Sequence, residues 1–337
     1  VLSTETIAEL VPIAANLRHN DLDEHVTEQA LAEGSGDYPH KADIALLWQW
    51  AQVLERARMA KRESFGLRPE QNNRVDFNFY VEDDVVTITR RKRGAPLDKI
   101  VAELMIFANS SWGKLMHEHG VPGIYRAQGG GQGWAARMQV RMLTHAAPHQ
   151  GLGVDQYAWS TSPLRRYTDL VNQWQILSCI RHGVTAPLVA TFKPKDADLF
   201  AIISAFDTAY TTYNGYQNSM ERFWTLQYLR QQHITELNAT VFKTMPGQPA
   251  MARADDLPLV LPVVGGSNLQ RGAKVQLRLS DIDDISLDIQ GQLLHVLDDA
   301  QAHPVEEVAE DDDDSAAGPI AVALDVNDAS DDTGASA

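Results

Sequence analysis

Cysteine is almost absent from this chain of 337 residues, and Cys179 is its single representative. One thiol cannot form a disulfide within the chain, and it cannot build a zinc site of the cysteine-rich type. Cys179 falls within an apolar helical pattern, so we expect it to be a small buried core residue.

Long hydrophobic runs are missing as well. No apolar stretch approaches the ~18 residues that a membrane span needs, and the N-terminus does not resemble a signal peptide. We therefore expect a cytoplasmic protein that has no membrane partner.

Basic residues are missing from one region, residues 301–337, which holds eleven Asp or Glu and no Lys or Arg. We predict a disordered acidic tail there, within a segment 299–337. The formal net charge is −16, from 45 acids and 29 bases, and without 301–337 it falls to 34 acids against 29 bases, or −5. A nucleic-acid partner is therefore compatible with the composition of the body of the chain.

The body of the chain also contains clusters of basic residues. We expect them to be solvated surface unless they line one groove. They are Arg56, Arg58, Lys61, Arg62, Arg90, Arg91, Lys92 and Arg93.

The hydrophobic patterning predicts an α+β protein. The length suggests about two domains of roughly 150 residues each, and 44% hydrophobic residues suffice for a sizeable core. Helical spacing is found over 43–66, 98–120, the stretch after Tyr167, and 196–232, the last with a break near Gly215 as an alternative. The first helix is expected to bury Leu46, Leu47, Trp50, Val53 and Leu54.

Strand patterns are of two kinds. Residues 75–91 predict a hairpin that turns at Glu82-Asp83-Asp84. From 236 to 297 short β-rich runs alternate with turn residues, which is typical of a small β-barrel such as an OB-fold. A glycine-rich stretch, 128–134, lacks the Lys-Ser/Thr ending of a nucleotide-binding loop, and we expect a flexible connection there.

The stretch Thr161-Ser162-Pro163-Leu164-Arg165-Arg166 stands before a predicted helix. Helix starts favour acids because the N-terminus is partly positive, so two arginines there run against the preference. A phosphate would resolve the conflict, since helix starts and arginine side chains both bind anions.

The surrounding segment, 149–173, resembles the most diagnostic part of the RNB catalytic domain of ribonuclease II, ribonuclease R and the exosome-associated nuclease. The matching residues are His149, Gly151-Leu152-Gly153, Tyr157, Thr161 to Tyr167, and Asp169. A second segment, 100–128, resembles the helix of the family with Glu103, Met105 and Asn109 and its exit Pro122 to Arg126.

The resemblance covers about 11–298, with a weaker fit over 11–23 and 73–79. It implies the C-terminal part of an RNB domain over 1–234, helices packed on a β-sheet, and an OB-fold RNA-binding domain over 235–298. The barrel has few aromatic residues, with Phe242 almost alone, so it would grip RNA weakly or mainly close the channel.

For function, the resemblance implies a processive 3′→5′ exoribonuclease. Single-stranded RNA enters a closed channel, and a Mg²⁺-activated water releases 5′-monophosphates. Arg165 would contact the scissile phosphate as the catalytic arginine. Further RNA contacts are expected from Arg166, Tyr167, Glu103, Arg126, His149 and Ser162.

Several of these residues could instead have a purely structural role. Arg166 is equally compatible with an ion pair to an internal acid, His149 with a hydrogen bond that fixes its loop, and Asn109 with helix packing. In the ribonuclease II branch a tyrosine and a glutamate hold the terminal nucleotide. Here they align near His19 and at Ala102. Either Glu103 serves instead, or the terminal sugar is held differently.

The chain departs from the family in its metal site. The four aspartates spaced D-x₅-D-x-D-D, which hold Mg²⁺ in the family, precede the resembled region. Asp281, Asp283, Asp284 and Asp288 have similar spacing but belong to the predicted barrel, where we expect a solvated strand face rather than metal ligands.

We therefore expect this chain to be the C-terminal part of a larger protein and to be inactive as a ribonuclease on its own. Its Mg²⁺ ligands would lie in a preceding N-terminal segment, in cis or as a partner chain. The alternative is a catalytically inactive RNA-binding adaptor that keeps the channel. A third possibility is a scaffold whose acidic tail recruits a protein.

Overall fold

A computed structural model describes residues 3–17, 22–67, 75–92, 94–129, 139–245, 247–266, 268–283, 285–298 and 321–322. Some earlier expectations lie outside these ranges. They concern His19, Arg93, Asp284, most of the glycine-rich stretch, and almost all of the acidic tail.

The described residues form helices and strands in a mixed order, which confirms the α+β class. The helices are α1 (Glu28–Glu33), α2 (Lys41–Ser64), α3 (Pro96–Glu118), α4 (Tyr167–His182), α5 (Ala186–Val189) and α6 (Ala197–Gln231). The strands are β1 (Val75–Glu82), β2 (Val85–Lys92), β3 (Tyr125–Gln128), β4 (Val140–Leu143), β5 (Glu236–Lys243), β6 (Ala250–Ala254), β7 (Val260–Val264), β8 (Lys274–Leu279), β9 (Gly291–Asp298) and the two-residue β10 (Ala321–Val322).

Helix ends follow the local chemistry of the sequence. The Thr27 hydroxyl accepts a hydrogen bond from the Ala30 N–H at the start of α1, and Gly34 ends that helix in the left-handed conformation. Pro96 opens α3, and Gly183 follows the last residue of α4. Helix α6 continues through Gly215, so the alternative of a break there is wrong.

The buried face of α2 differs from the expected one. Its buried apolar residues are Ile44, Trp48 and Ala51, whereas Leu46 and Val53 are 66% and 52% exposed. Apolar residues surround much of this helix, so their spacing does not specify which arc packs against α3.

Two compact units are distinguished by their internal contacts. The first comprises described residues within Val1–Glu70, Gly94–Thr212 and Ala309–Ala337, and the second those within Gln71–Arg93 and Tyr213–Val308. The domain boundary that we placed at 234/235 from the sequence stays a prediction.

In the first unit, strand β4 pairs antiparallel with β3 and parallel with β10. Beside the β3–β4 pair lies a core that includes α4 and the first part of α6. Its buried apolar residues include Ile124, Met142, Tyr157, Trp159, Val171, Leu199 and Ile203. Cys179 is 2% exposed, as expected for a core residue.

In the second unit, β5 to β9 form a closed barrel of order β5-β6-β7-β9-β8, consistent with an OB-like fold. Its core consists of alternate residues that point inward, such as Ala239, Val241, Val275 and Leu277. The last part of α6 is fixed to it by Arg222, which donates to the carbonyls of Leu287 (2.6 Å) and Val260 (2.8 Å).

The predicted hairpin is confirmed and belongs to this second unit. Asp83 and Asp84 join β1 to β2 with positive φ angles of 48° and 62°, as a two-residue turn of mirror-image type requires. The Val86 N–H donates to the Gln231 side chain at 2.9 Å, which ties the hairpin to α6.

None of the helices in the described ranges is long and apolar enough to cross a membrane.

Candidate functional site

The arginine pair lies on a tight turn that leads into α4. The N–H groups of Arg165 and Arg166 both donate to the Ser162 carbonyl, at 3.2 and 3.0 Å. Arg166 is the N-cap residue with extended backbone, and the helix begins at Tyr167. Arg165 therefore precedes the helix instead of standing within its first turn.

Asp169 organises this turn from inside the protein. Its Oδ1 atom accepts hydrogen bonds from the Ser162 N–H and from Arg166 Nη2, both at 2.8 Å. Asp169 is fully buried and Arg166 is 2% exposed. A buried carboxylate requires such compensation, because burial of an uncompensated charge is strongly unfavourable.

The two arginines consequently differ in environment. Arg166 has the internal ion pair that we considered as its alternative, while Arg165 is exposed beside the fully exposed Leu164. Tyr167 is also exposed, at 48%.

Two buried guanidinium groups lie against the ring of Trp159. The guanidinium carbons of Arg126 and Arg166 lie 3.8 and 4.0 Å from its ring centroid. Both guanidinium groups are therefore within cation–π distance of the indole. This stacking is favourable because the ring quadrupole attracts cations. It joins β3, which carries Arg126, to the arginine turn.

Two buried asparagines hold the chain that leads into the turn. Asn109 of α3 accepts the Ser160 N–H at 2.9 Å and lies 3.3 Å from the hydroxyls of Tyr157 and Thr161. Asn172 of α4 donates to the Trp159 carbonyl at 2.7 Å and accepts the Ile124 N–H at 2.7 Å. Both amides therefore position backbone, and the packing role considered for Asn109 agrees with this geometry.

A second tight turn is formed by His149 and the Gly151-Leu152-Gly153 motif. The Nδ1 atom of the buried His149 ring accepts the Leu152 N–H at 3.2 Å. Burial, followed by the positive charge of Arg126, lowers the pKa of His149 to about 3. The ring is thus neutral at pH 7 and fixes its own loop.

Both glycines of this motif stand where a side chain would clash. A Cβ on Gly151 would lie 1.9 Å from Gln128 Oε1, which accepts the Gly151 N–H at 2.8 Å. A Cβ on Gly153, at φ +69°, would lie 2.2 Å from the Arg58 carbonyl oxygen of α2. The motif is therefore a packing element between α2 and β3.

Two of the four basic residues in the cluster on α2 point into the protein, so the expectation of a solvated surface is wrong for these two. Arg62 is 2% exposed, and its Nη1 donates to the Gly151 carbonyl. Arg58 donates to the Leu152 carbonyl at 3.1 Å and to Glu103 at 2.6 Å. These side chains leave the solvent because backbone carbonyls and a buried carboxylate satisfy their N–H groups. Lys61 is half-buried and pairs with Asp155.

The predicted site residues thus fall into two groups. Arg165 and Tyr167 are exposed, and Ser162 is half-buried. The other four are buried supports of the turns, namely Arg166, Glu103, Arg126 and His149. Their RNA contacts stay predictions.

Sequence reasoning missed Trp159, Asn172 and Arg58 as parts of this arrangement. Trp159 stands just before the Ser160-Thr161-Ser162 stretch, which was the available clue. For Arg58 no local clue exists, because its partners Glu103 and Leu152 are 45 and 94 residues away.

The aspartates near residue 283 have a local structural role. Asp283 lies in an exposed turn, where its carboxylate accepts the N–H groups of Ile285 (2.9 Å) and Ser286 (3.2 Å). Within the described parts of the chain, no three His, Cys, Asp or Glu side chains come together as metal ligands. The described residues therefore do not fit a magnesium ion.

The RNB domain family model matches residues 11–142 and 135–182, which together include the arginine turn and the Gly-Leu-Gly motif. The chain belongs to the RNB-domain family. This match confirms the resemblance to RNB-type ribonucleases.

Two curated relatives support the assignment to RNB-type ribonucleases. An uncharacterised ribonuclease of Synechocystis is 25% identical over 206 residues, or 55% of this chain. The human 3′-5′ exoribonuclease HELZ2 is 33% identical over 93 residues, or 28% of this chain. The chain spans only 30% and 3% of the lengths of these two proteins.

Solved structures show the same fold. A mutant of the Dss1 exoribonuclease from Candida glabrata gives a TM-score of 0.62 at 18% identity, over 81% of this chain and 38% of that one. RNase R of Mycoplasma genitalium, in complex with ribose-methylated single-stranded RNA, gives 0.61 at 12% identity, over 81% and 53%.

Proposed function

We propose that this RNB chain is part of a 3′→5′ exoribonuclease that degrades single-stranded RNA to 5′-monophosphates, with Arg165 at the scissile phosphate. The observation that best supports this proposal is that Arg166 is buried whereas Arg165 is exposed. Asp169 fixes Arg166 inside, and the same turn presents the Arg165 side chain to solvent. RNA-bound RNase R among the structural neighbours and the name of the human relative support the direction and substrate.

Arg165 has the chemistry that the role needs. A guanidinium keeps its charge at any physiological pH and can bind two phosphate oxygens at once. The helix start after it adds a partial positive charge. Because Asp169 and Ser162 hold the turn in place, little reorganisation is needed when the phosphate gains negative charge in the transition state.

Magnesium enters this proposal only through the family. Metal-bound water would supply the nucleophile, but the described residues do not fit the ion. We propose that its ligands come from polypeptide outside these 337 residues, in the same protein or in a partner chain.

The test is shortening of a 5′-labelled single-stranded RNA in the presence of Mg²⁺. Three proteins are compared: this chain, the chain joined to the polypeptide encoded before Val1, and the joined protein with Arg165→Ala. Arg181→Ala is the matched control, because Arg181 is an exposed arginine at the other end of α4.

We expect shortening from the 3′ end only by the joined protein and its Arg181→Ala control. Loss of Arg165 should slow the reaction about a hundredfold, the usual effect of removing one transition-state contact. A joined protein that binds RNA but never shortens it would identify an RNA-binding adaptor instead.

A further inference from the structure

A groove of about 670 Å³ lies in the first unit, between the start of α4 and the first part of α6. Ala201, Ala205 and Ala209 form its floor, since residues four apart share one helix face. Tyr167 and Phe206 line it with aromatic rings, and Asp198 contributes a carboxylate.

The aromatic walls are held in place by other rings. Tyr167 packs edge-on against Trp174 at 6.2 Å, and Phe206 stacks on Tyr210 at 5.4 Å. Tyr210 in turn packs edge-on against Trp159, at 6.2 Å. The groove is therefore preformed, and it adjoins the residues that fix the arginine turn.

We propose that this groove binds a nucleobase of single-stranded RNA, an inference that rests on the function proposed above. A base offers flat apolar faces that pack on aromatic rings and on an alanine floor, and its edge carries N–H donors. The Asp198 carboxylate can accept a hydrogen bond from such a donor.

The charge of the residues that line the groove favours the base of a nucleotide over its phosphate. No lysine or arginine lines the groove as described, and its one charged group is an acid, which disfavours a phosphate. The phosphate chemistry belongs instead to Arg165, two residues before Tyr167 in the same turn. One strand can thus place a phosphate on Arg165 and a base in the groove.

The size of the groove agrees with this occupant. Ligand pockets of about 300–1,000 Å³ accommodate small organic groups, and a base with part of its sugar needs less than the observed volume. Bases in a duplex are stacked and paired, so only an unpaired strand can insert one.

The test fills the groove without disturbing the core. Ala205 and Ala209 are exposed, so Ala205→Leu or Ala209→Leu places a larger side chain in the groove. Thr208→Leu is the matched control, an exposed position on the same helix that does not line the groove. Fluorescence anisotropy measures the affinity of the full chain for a labelled single-stranded RNA and for an abasic strand of equal length.

We expect Ala205→Leu and Ala209→Leu to weaken RNA binding about tenfold, the effect of losing one base–aromatic stack. Thr208→Leu should bind like the unaltered chain. The abasic strand should bind equally well to all four proteins, because it has no base to lose.

Other outcomes overturn the inference. Unchanged RNA affinity in both leucine variants would show that no base occupies the groove. Equal weakening with RNA and the abasic strand would show that the backbone, not a base, is affected. If the leucines instead abolish binding to the upstream polypeptide with RNA affinity intact, the groove is a protein interface. Absence of RNA binding by the unaltered chain would contradict the proposed function itself.

Discussion

Arg165 and Arg166 are neighbours in sequence, and a buried acid three residues further on separates their environments. Asp169 pairs with Arg166 at 2.8 Å and accepts the Ser162 N–H, so the turn closes around one arginine and presents the other. The same carboxylate thus neutralises one cation and positions its neighbour. If Arg165 contacts RNA as proposed above, Asp169 is a positioning residue, because it holds the turn and not the RNA.

His149 should make the free energy of unfolding depend on pH. Its pKa is about 3 in the folded protein and 6.5 when unperturbed. Between these values the unfolded chain takes up a proton that the folded chain does not, so stability is lost as the pH falls below 6.5. In His149→Asn, whose side-chain oxygen can still accept the Leu152 N–H, this loss should disappear.

Urea unfolding at pH 7 and pH 5 measures the effect. The stability difference between the unaltered chain and His149→Asn should shrink by about 2 kcal/mol between these pH values. His182→Asn, at an exposed histidine, is the control. Parallel pH profiles for the unaltered chain and His149→Asn would contradict the assignment.

Single residues were predictable where their role is local. Arg165, Ser162 and Asp169 stand within eight residues, and their motif alone indicated a functional turn. Arg62 was not predictable, because its partner, the Gly151 carbonyl, is 89 residues away and no pattern in α2 reveals it.

At the scale of elements, the turn 151–153 lets the backbone of α2 approach closely, because its glycines have no side chain. Gly153 and Gly34 have nearly the same φ, +69° and +63°, but only Gly153 has a neighbour that a Cβ would meet. Gly34→Ala should therefore cost about 1 kcal/mol of stability, for the left-handed backbone alone. Gly153→Ala should cost about 2 kcal/mol more, because α2 must move.

Urea unfolding of the two variants separates conformational strain from crowding. Equal losses of stability would show that the backbone of α2 is free to yield at Arg58. A much larger loss in Gly153→Ala would support the role of this motif as a spacer between α2 and β3.

Element boundaries were predictable because capping and turn residues are local. The starts of α2 and α3 fall two residues before the predicted ones, and the turn at Asp83-Asp84 is correct. The buried face of α2 was not predictable, since Leu46, Trp50 and Val53 have the same spacing as the residues that are buried. Only the position of α3 decides between these faces.

At the scale of the whole molecule, the formal net charge of −16 repels RNA, so the RNA binding proposed above would depend on local cations. Each phosphate contact to a single strand contributes about 0.7 to the slope of log affinity against log salt. Arg165→Ala should therefore reduce the magnitude of that slope by about 0.7.

The measurement is a salt titration of RNA affinity, with Arg181→Ala as control. The control should keep the slope of the unaltered chain. An unchanged slope in Arg165→Ala would show that this arginine does not contact phosphate in the bound state.

The fold class of the whole molecule was predictable, but the assignment of its elements to the two compact units was not. A long motif identified the RNB family, and regular short strands predicted the barrel. That the hairpin 75–92 belongs to the compact unit of the barrel could not be foreseen, because the contact between Val86 and Gln231 joins residues 145 apart.

The closed barrel and the two-stranded hairpin differ in their tendency to self-associate. Each barrel strand has two strand neighbours, so the barrel offers no free edge to another chain, whereas β1 and β2 pair only with each other among the described strands. Free edges template aggregation unless charges protect them. Glu82 on β1 and Arg90 on β2 carry such charges. Replacing these side chains with neutral ones should make the protein more prone to self-associate through the hairpin edges as its concentration rises.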